Sequence, residues 1–120
     1  MLGALYHGII SVLSGVPSAW RVHSGSYTGT GVSLAVTGLG FRPQLIILKD
    51  IAGFSNSDPI IGWSGMTTSV GATPAATIFD PSTTPATNLI TGYDTDGFTV
   101  GTNGAVNTIG RTYNYVAIAG

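Results

Sequence analysis

The sequence contains no cysteine and no glutamate, and charged residues make up only 8% of its 120 positions. The absence of cysteine excludes disulfides, thiol catalysis and cysteine-based zinc sites. The net charge of −1 offers no cluster of Lys and Arg to neutralise phosphates, so we predict no nucleic-acid partner. Because charge normally keeps soluble proteins apart, so weakly charged a chain is expected to be buried in an oligomer or a larger assembly.

The residues that are present favour β-structure. Thr, Val, Ile and aromatic residues are frequent, Glu, Lys and Gln are nearly missing, and there are 18 glycines and 6 prolines. Short apolar stretches separated by turn residues every eight to twelve positions are typical of a sandwich or barrel. We predict one all-β domain, a jelly-roll-like antiparallel β-sandwich over residues 21–120, preceded by an apolar N-terminal arm or short helix over residues 1–20.

The N-terminal arm has apolar residues at helical spacing. They form one stripe: Leu2, Leu5, Ile9, Ile10 and Leu13. Glycines at positions 3, 8 and 15 weaken such a helix by roughly 1 kcal/mol each, so it needs a surface to pack on. That surface is either the protein's own sandwich or a neighbouring subunit. A signal peptide is disfavoured because no Lys or Arg precedes the apolar run. The run is also too short and interrupted to span a membrane, so we predict no membrane partner.

Several segments have clear strand or turn patterns. Residues Val32–Thr37 alternate, as in a half-buried strand, whereas Gln44–Lys49 is a continuous apolar run that predicts a central strand covered on both faces. Asp94–Gly97 predicts a hairpin turn, and Thr102–Gly104 predicts a second turn. The final strand, Thr112–Ile118, is expected to place alternate residues on one face: Tyr113, Tyr115 and Ala117.

No motif predicts catalysis, a cofactor or a metal site. His7 and His23 lie outside any metal-binding spacing, and Asp94-x-Asp96-Gly97 resembles the start of a calcium loop without its downstream carboxylates. Residues 64–87 are rich in Gly, Ala, Thr, Ser and Pro and predict a long surface loop with one short strand. Aromatic rings can stack on sugars, and we take Trp63 and Tyr93 as candidate glycan or surface contacts.

Four blocks of the sequence together carry a resemblance to a known family. They are Gly25-Ser26-Tyr27-Thr28-Gly29-Thr30-Gly31, Gly38-Leu39-Gly40-Phe41-Arg42-Pro43 leading into Gln44–Lys49, Asp96-Gly97-Phe98-Thr99-Val100-Gly101, and Val106-Asn107 with Gly110-x-Thr112-Tyr113-x-Tyr115-Val116-Ala117. In this order they resemble a small β-sandwich domain of tailed-bacteriophage virion proteins, over about residues 24–119. The shared motifs are turn glycines and core strands, so they indicate fold more directly than function.

This resemblance implies a structural role on the virion. The chain begins with Met and has no coiled-coil or repeat stalk, which favours a standalone capsid decoration (cement) protein on the capsid surface. The expected partners are the major capsid protein and further copies of this chain, as a trimer or dimer, with the five apolar residues of the arm as the protein interface. The alternative is a receptor- or glycan-binding module of a tail or head fibre.

Overall fold

The computed structural model describes residues 20–51, 58–80 and 83–120, and these form an all-β sandwich of two antiparallel sheets. The larger sheet has the strand order β1-β8-β3-β4-β5, and the smaller has the order β2-β7-β6. The strands are β1 (Arg21–Thr28), β2 (Leu34–Thr37), β3 (Leu45–Asp50), β4 (Ile60–Trp63), β5 (Thr77–Ile78), β6 (Ile90–Asp94), β7 (Gly97–Val100) and β8 (Thr112–Ala119). The predicted all-β class is confirmed. Residues 1–19 of the predicted N-terminal arm lie outside the described residues.

The core lies between the two sheets and is rich in aromatic rings. Phe98 of β7 meets Tyr115 of β8 edge to face, with ring centroids 5.0 Å apart. Tyr27 of β1 stacks on Tyr113, with ring centroids 5.1 Å apart, and its hydroxyl donates a hydrogen bond to the carbonyl of Val106 at 2.7 Å. Such aromatic contacts add about 0.5–1.5 kcal/mol each beyond burial alone. The Phe98–Tyr115 contact joins the two sheets, whereas Tyr27 and Tyr113 are paired within the larger sheet. The predicted alternation of the last strand is confirmed, and the face that carries Tyr113, Tyr115 and Ala117 is the buried one.

The predicted hairpin at Asp94–Gly97 is confirmed as the connection between β6 and β7. The Asp96 carboxylate accepts hydrogen bonds from the backbone amides of Gly38 and Gly40, at 3.1 and 2.7 Å. The hairpin therefore holds the loop between β2 and β3. Gly97 is required here because a Cβ at this position would lie 1.8 Å from the Val36 carbonyl oxygen.

The predicted second turn at Thr102–Gly104 leads directly into a one-turn helix, α1 (Gly104–Asn107), which the sequence pattern did not predict. The Asn103 side chain caps this helix by accepting a hydrogen bond from the amide of Ala105 at 2.8 Å. Asn107, at its end, is 1% exposed and binds the β1–β2 connection on one side and the end of β7 on the other.

Strand β3 departs from the sequence prediction in its burial. Ile46 and Leu48 are fully buried in the sandwich, but Ile47 between them is 40% exposed, so the described residues cover this strand on one face only. The strand is central, as predicted, because it lies between β8 and β4. Its outward side belongs to an open face of the larger sheet.

The predicted surface loop over residues 64–87 contains the single short strand β5, which pairs with β4. The loop is less superficial than its composition indicates, because Met66, Ala75 and Ala76 are buried. Residues 81–82 lie outside the described ranges, as do residues 52–57 of the preceding connection.

Candidate binding surface

The outward face of the larger sheet carries apolar side chains in register across its strands. In one row, the pairing places Val22 of β1, Ile118 of β8, Leu45 of β3 and Trp63 of β4 side by side. In the next row it aligns Ser24, Val116, Ile47, Ile61 and Thr77. The outward face of an antiparallel sheet is commonly polar because it meets water. We call the seven apolar members of these rows the outer apolar face: Val22, Leu45, Ile47, Ile61, Trp63, Val116 and Ile118.

Four of these side chains are exposed in the described structure. The exposed fractions are 65% for Val22, 48% for Trp63, 40% for Ile47 and 37% for Val116. Trp20 continues the face beyond the first row: its ring lies against Gly120 at the end of β8 and is 65% exposed. A contiguous exposed apolar area of this kind indicates a contact with another surface.

A third row gives the face a polar border. Ser26, Asn114 and Lys49 lie side by side there, and all three are exposed. Between this border and the second row is a shallow depression of about 500 Å³, lined in part by Ser24, Ile47 and Val116. Apolar rows bordered by polar residues, here on the side of the third row, are typical of protein–protein interfaces, where desolvation is strongest in the middle.

At the β4–β5 edge the outer apolar face adjoins a separate concavity, which we call the Trp63 cavity. Its volume is about 670 Å³, and it is lined by residues that include Trp63, Met66, Thr77, Phe79 and Asp80. Phe79 is 70% exposed, so two aromatic rings are accessible at its wall. Accessible rings next to hydroxyl and carboxylate groups are the components of a carbohydrate site, in which rings stack on the sugar and polar groups bind its hydroxyls.

Tyr93 does not share a surface with Trp63. Its hydroxyl lies against Gly62, on the inward side of β4, whereas Trp63 projects from the outward side. The Tyr93 hydroxyl is buried and has no hydrogen-bond partner among the described residues. Burial raises the pKa of this hydroxyl well above its usual value. Of the two candidate contacts, Trp63 is placed to meet a ligand and the Tyr93 hydroxyl is not.

The five apolar residues of the predicted interface, Leu2, Leu5, Ile9, Ile10 and Leu13, lie outside the described residues. The outer apolar face was not identified from the sequence, although two signals pointed to it. One is the continuous apolar run of β3, and the other is Val116 and Ile118 on the outward face of the last strand. Only the strand pairing aligns these residues with Val22 and Trp63.

The carboxylates of the hairpin turn are used within the fold. Asp96 binds the backbone amides of the β2–β3 loop, and Asp94 accepts a hydrogen bond from the Thr99 hydroxyl at 2.7 Å. Within residues 20–51, 58–80 and 83–120, no group of three or more His, Cys, Asp or Glu residues is placed to hold a metal ion.

None of the helices in the described part of the chain has the length and apolar character needed to cross a membrane. Comparison with known proteins gives no match: no family model, no curated protein and no solved structure matches this chain.

Proposed function

We propose that this protein is a capsid decoration (cement) protein of a tailed phage, a structural protein that binds the assembled shell. The observation that carries the proposal is the outer apolar face: a folded domain with 8% charged residues leaves apolar side chains exposed in two aligned rows. Such a chain gains stability by being covered in an assembly. The resemblance of its motifs to phage virion sandwiches is the reason for proposing a phage capsid as this assembly. The resemblance itself stays a prediction.

The mechanism is stabilisation by mass action. A protein that binds the assembled shell and not its separate subunits shifts the equilibrium toward the shell, by an amount set by its concentration relative to its dissociation constant. The major capsid protein is the proposed partner, and the arm residues from Leu2 to Leu13 are the proposed anchor. An anchor that buries about 400 Å² of apolar surface contributes roughly 10 kcal/mol before ordering costs. Those costs are large, so a dimer or trimer with several anchors binds more firmly.

Fractionation of virions tests this proposal directly. Virions of the phage that encodes the chain are separated into capsids and tails, and the chain is quantified by mass spectrometry against the major capsid protein. We expect it in the capsid fraction, at a fixed ratio to the capsid protein. Recovery only with tails or fibres would contradict a decoration role.

A second candidate function is a receptor- or glycan-binding module of a tail or head fibre, and the Trp63 cavity favours it. Trp63 and Phe79 present accessible rings beside the Thr77 and Asp80 side chains, as a sugar site requires. A glycan array distinguishes the two functions. Specific binding that is lost in Trp63→Ala and kept in Trp20→Ala, an exposed tryptophan outside the cavity, would favour the fibre role over decoration.

A further inference from the structure

We infer that, in the free protein, the outer apolar face is the docking site of the chain's own N-terminal arm. The inference goes beyond the proposed function, because it concerns the protein before it meets any shell. It rests on three observations: the face is apolar and open, the described chain begins on it, and the arm carries an apolar stripe of matching length.

The first observation is the conflict between the sequence of β3 and its exposure. A continuous run of apolar residues is typical of a strand that is covered on both faces. In β3, however, Ile47 is 40% exposed in the described structure. The neighbouring Val116 and Ile61 extend the same apolar row on both sides. Something that the described residues do not include is therefore expected to cover this row.

The second observation is where the described chain begins. Trp20 lies beside Gly120, at the end of the outer apolar face, and Val22 two residues later is a member of the first row. Strand β1 is an edge strand, so the chain enters the sheet at one side of the face. Residues 14–19 can span about 20 Å when extended, more than the roughly 14 Å from β1 to β4. The apolar residues of the arm can thus reach every strand of the face.

The third observation is the match in length and chemistry. At the helical spacing that the sequence predicts, Leu2 and Leu13 would be about 17 Å apart, close to the width of the four strands that form the first row. Three glycines make such a helix marginal in isolation, so it needs a surface. Residues 1–19 contain no Asp, Lys or Arg, so docking on the face buries no side-chain charge there.

A second copy of the chain fits the face less well. Even with Trp20 and the polar border included, four strands and four rows define an area of roughly 20 by 27 Å, whereas a stable dimer commonly buries about 800 Å² on each partner. A covalently attached segment needs far less area, because attachment raises its effective concentration at the face to about millimolar levels. For assembly, the outer apolar face and the shell would compete for the arm. Arm residues that bind a shell must leave the face, and the face then becomes available to a neighbouring subunit.

Cross-linking between introduced cysteines tests the inference, and the natural chain has no cysteine to interfere. One cysteine replaces Ser11 in the arm, and the second replaces Lys49 on the outward side of β3. The matched control combines Ser11→Cys with Thr95→Cys, an exposed position in the β6–β7 turn of the other sheet. A short bismaleimide is added to dilute protein without capsids, and products are separated by mass.

We expect a cross-linked monomer from the Lys49→Cys pair in at least about tenfold higher yield than from the Thr95→Cys control. Adding Ile9→Asp and Ile10→Asp should abolish this difference, because charge cannot be buried on the face. A cross-linked dimer would overturn the inference in favour of a second copy. Equal yields from the two pairs would overturn it in favour of an uncovered face. Because no shell is present, neither result depends on the decoration role.

Discussion

At the scale of single residues, Asn107 has more buried hydrogen bonds than its place in a one-turn helix suggests. Its Oδ1 accepts from the amide of Thr30 at 2.7 Å, and its Nδ2 donates to the carbonyls of Val32 and Gly101, at 2.6 and 2.8 Å. One side chain thus ties the β1–β2 connection to the end of β7. Every polar atom of this amide is paired, which makes its burial favourable.

Asn107→Ala should lower the free energy of unfolding by about 3 kcal/mol, because buried carbonyl and amide groups lose their partners. The matched control is Asn103→Ala, which removes a cap from a single turn and should cost about 1 kcal/mol. Both are measured by urea unfolding. Equal losses in the two variants would show that the Asn107 contacts contribute little beyond the helix itself.

Two tyrosines with buried hydroxyl groups should respond differently to loss of the hydroxyl. The Tyr27 hydroxyl donates to the Val106 carbonyl, so Tyr27→Phe should reduce the free energy of unfolding by about 1 kcal/mol. The Tyr93 hydroxyl is buried without a partner among the described residues, so Tyr93→Phe should leave stability unchanged or raise it by up to about 1 kcal/mol. A loss in Tyr93→Phe as large as that in Tyr27→Phe would contradict this difference.

At the scale of secondary-structure elements, the sequence predicted the features that neighbouring residues determine. It did not predict the features that depend on contacts between distant residues. The β6–β7 hairpin is encoded by Asp94–Gly97 itself, and the faces of β8 follow from its own alternation. Helix α1 was missed because its ending depends on Asn107 contacts with residues more than seventy positions away. The outer apolar face was missed because its rows exist only once β1, β8, β3 and β4 pair in register.

Gly97→Ala tests how strongly the hairpin is tied to β2. A Cβ at position 97 would meet the backbone oxygen of Val36 at 1.8 Å, so the two strands would have to separate. We expect a loss of at least about 3 kcal/mol in the free energy of unfolding. In Gly104→Ala the nearest atom is the Thr108 hydroxyl oxygen at 3.3 Å, and the change should stay below about 1 kcal/mol. Similar effects at both positions would contradict the close approach of β7 to β2.

At the scale of the whole molecule, the tyrosines whose hydroxyl groups are buried predict instability at high pH. Burial raises the pKa of Tyr27 and of Tyr93, and the nearby Tyr113 adds to the effect at Tyr27. Unfolded tyrosines ionise near pH 10, so above this pH the unfolded state releases protons that the folded state retains. Stability contributed by these groups is therefore fully present below about pH 10 and is lost as the pH rises further.

We expect the free energy of unfolding to be flat with respect to these groups between about pH 7 and 9, and to fall above pH 10. The slope is up to about 1.4 kcal/mol per pH unit for each buried tyrosine. In Tyr93→Phe the free energy of unfolding should fall less steeply above pH 10, by up to about 1.4 kcal/mol per pH unit. An unchanged slope in this variant would show that Tyr93 can ionise in the folded protein.

The two sides of strand β8 have different roles in the fold. The last strand, β8, lies between β1 and β3 and contributes Tyr113, Tyr115 and Ala117 to the core, so its inward side is occupied by folding contacts. Its outward side contributes Val116 and Ile118 to the outer apolar face. Attachment to a partner is therefore proposed for that face and for the apolar arm that precedes β1.

Co-sedimentation with capsids that lack this protein tests the central proposal most directly. Purified shells are mixed with increasing amounts of the full chain, or of a variant that lacks residues 2–13, and the bound protein is quantified after centrifugation. A decoration protein anchored by its arm should bind saturably, at a fixed ratio to the major capsid protein, and the deletion should abolish most of the binding. No saturable binding of the full chain would contradict the decoration role, and undiminished binding of the deletion variant would contradict the arm as its anchor.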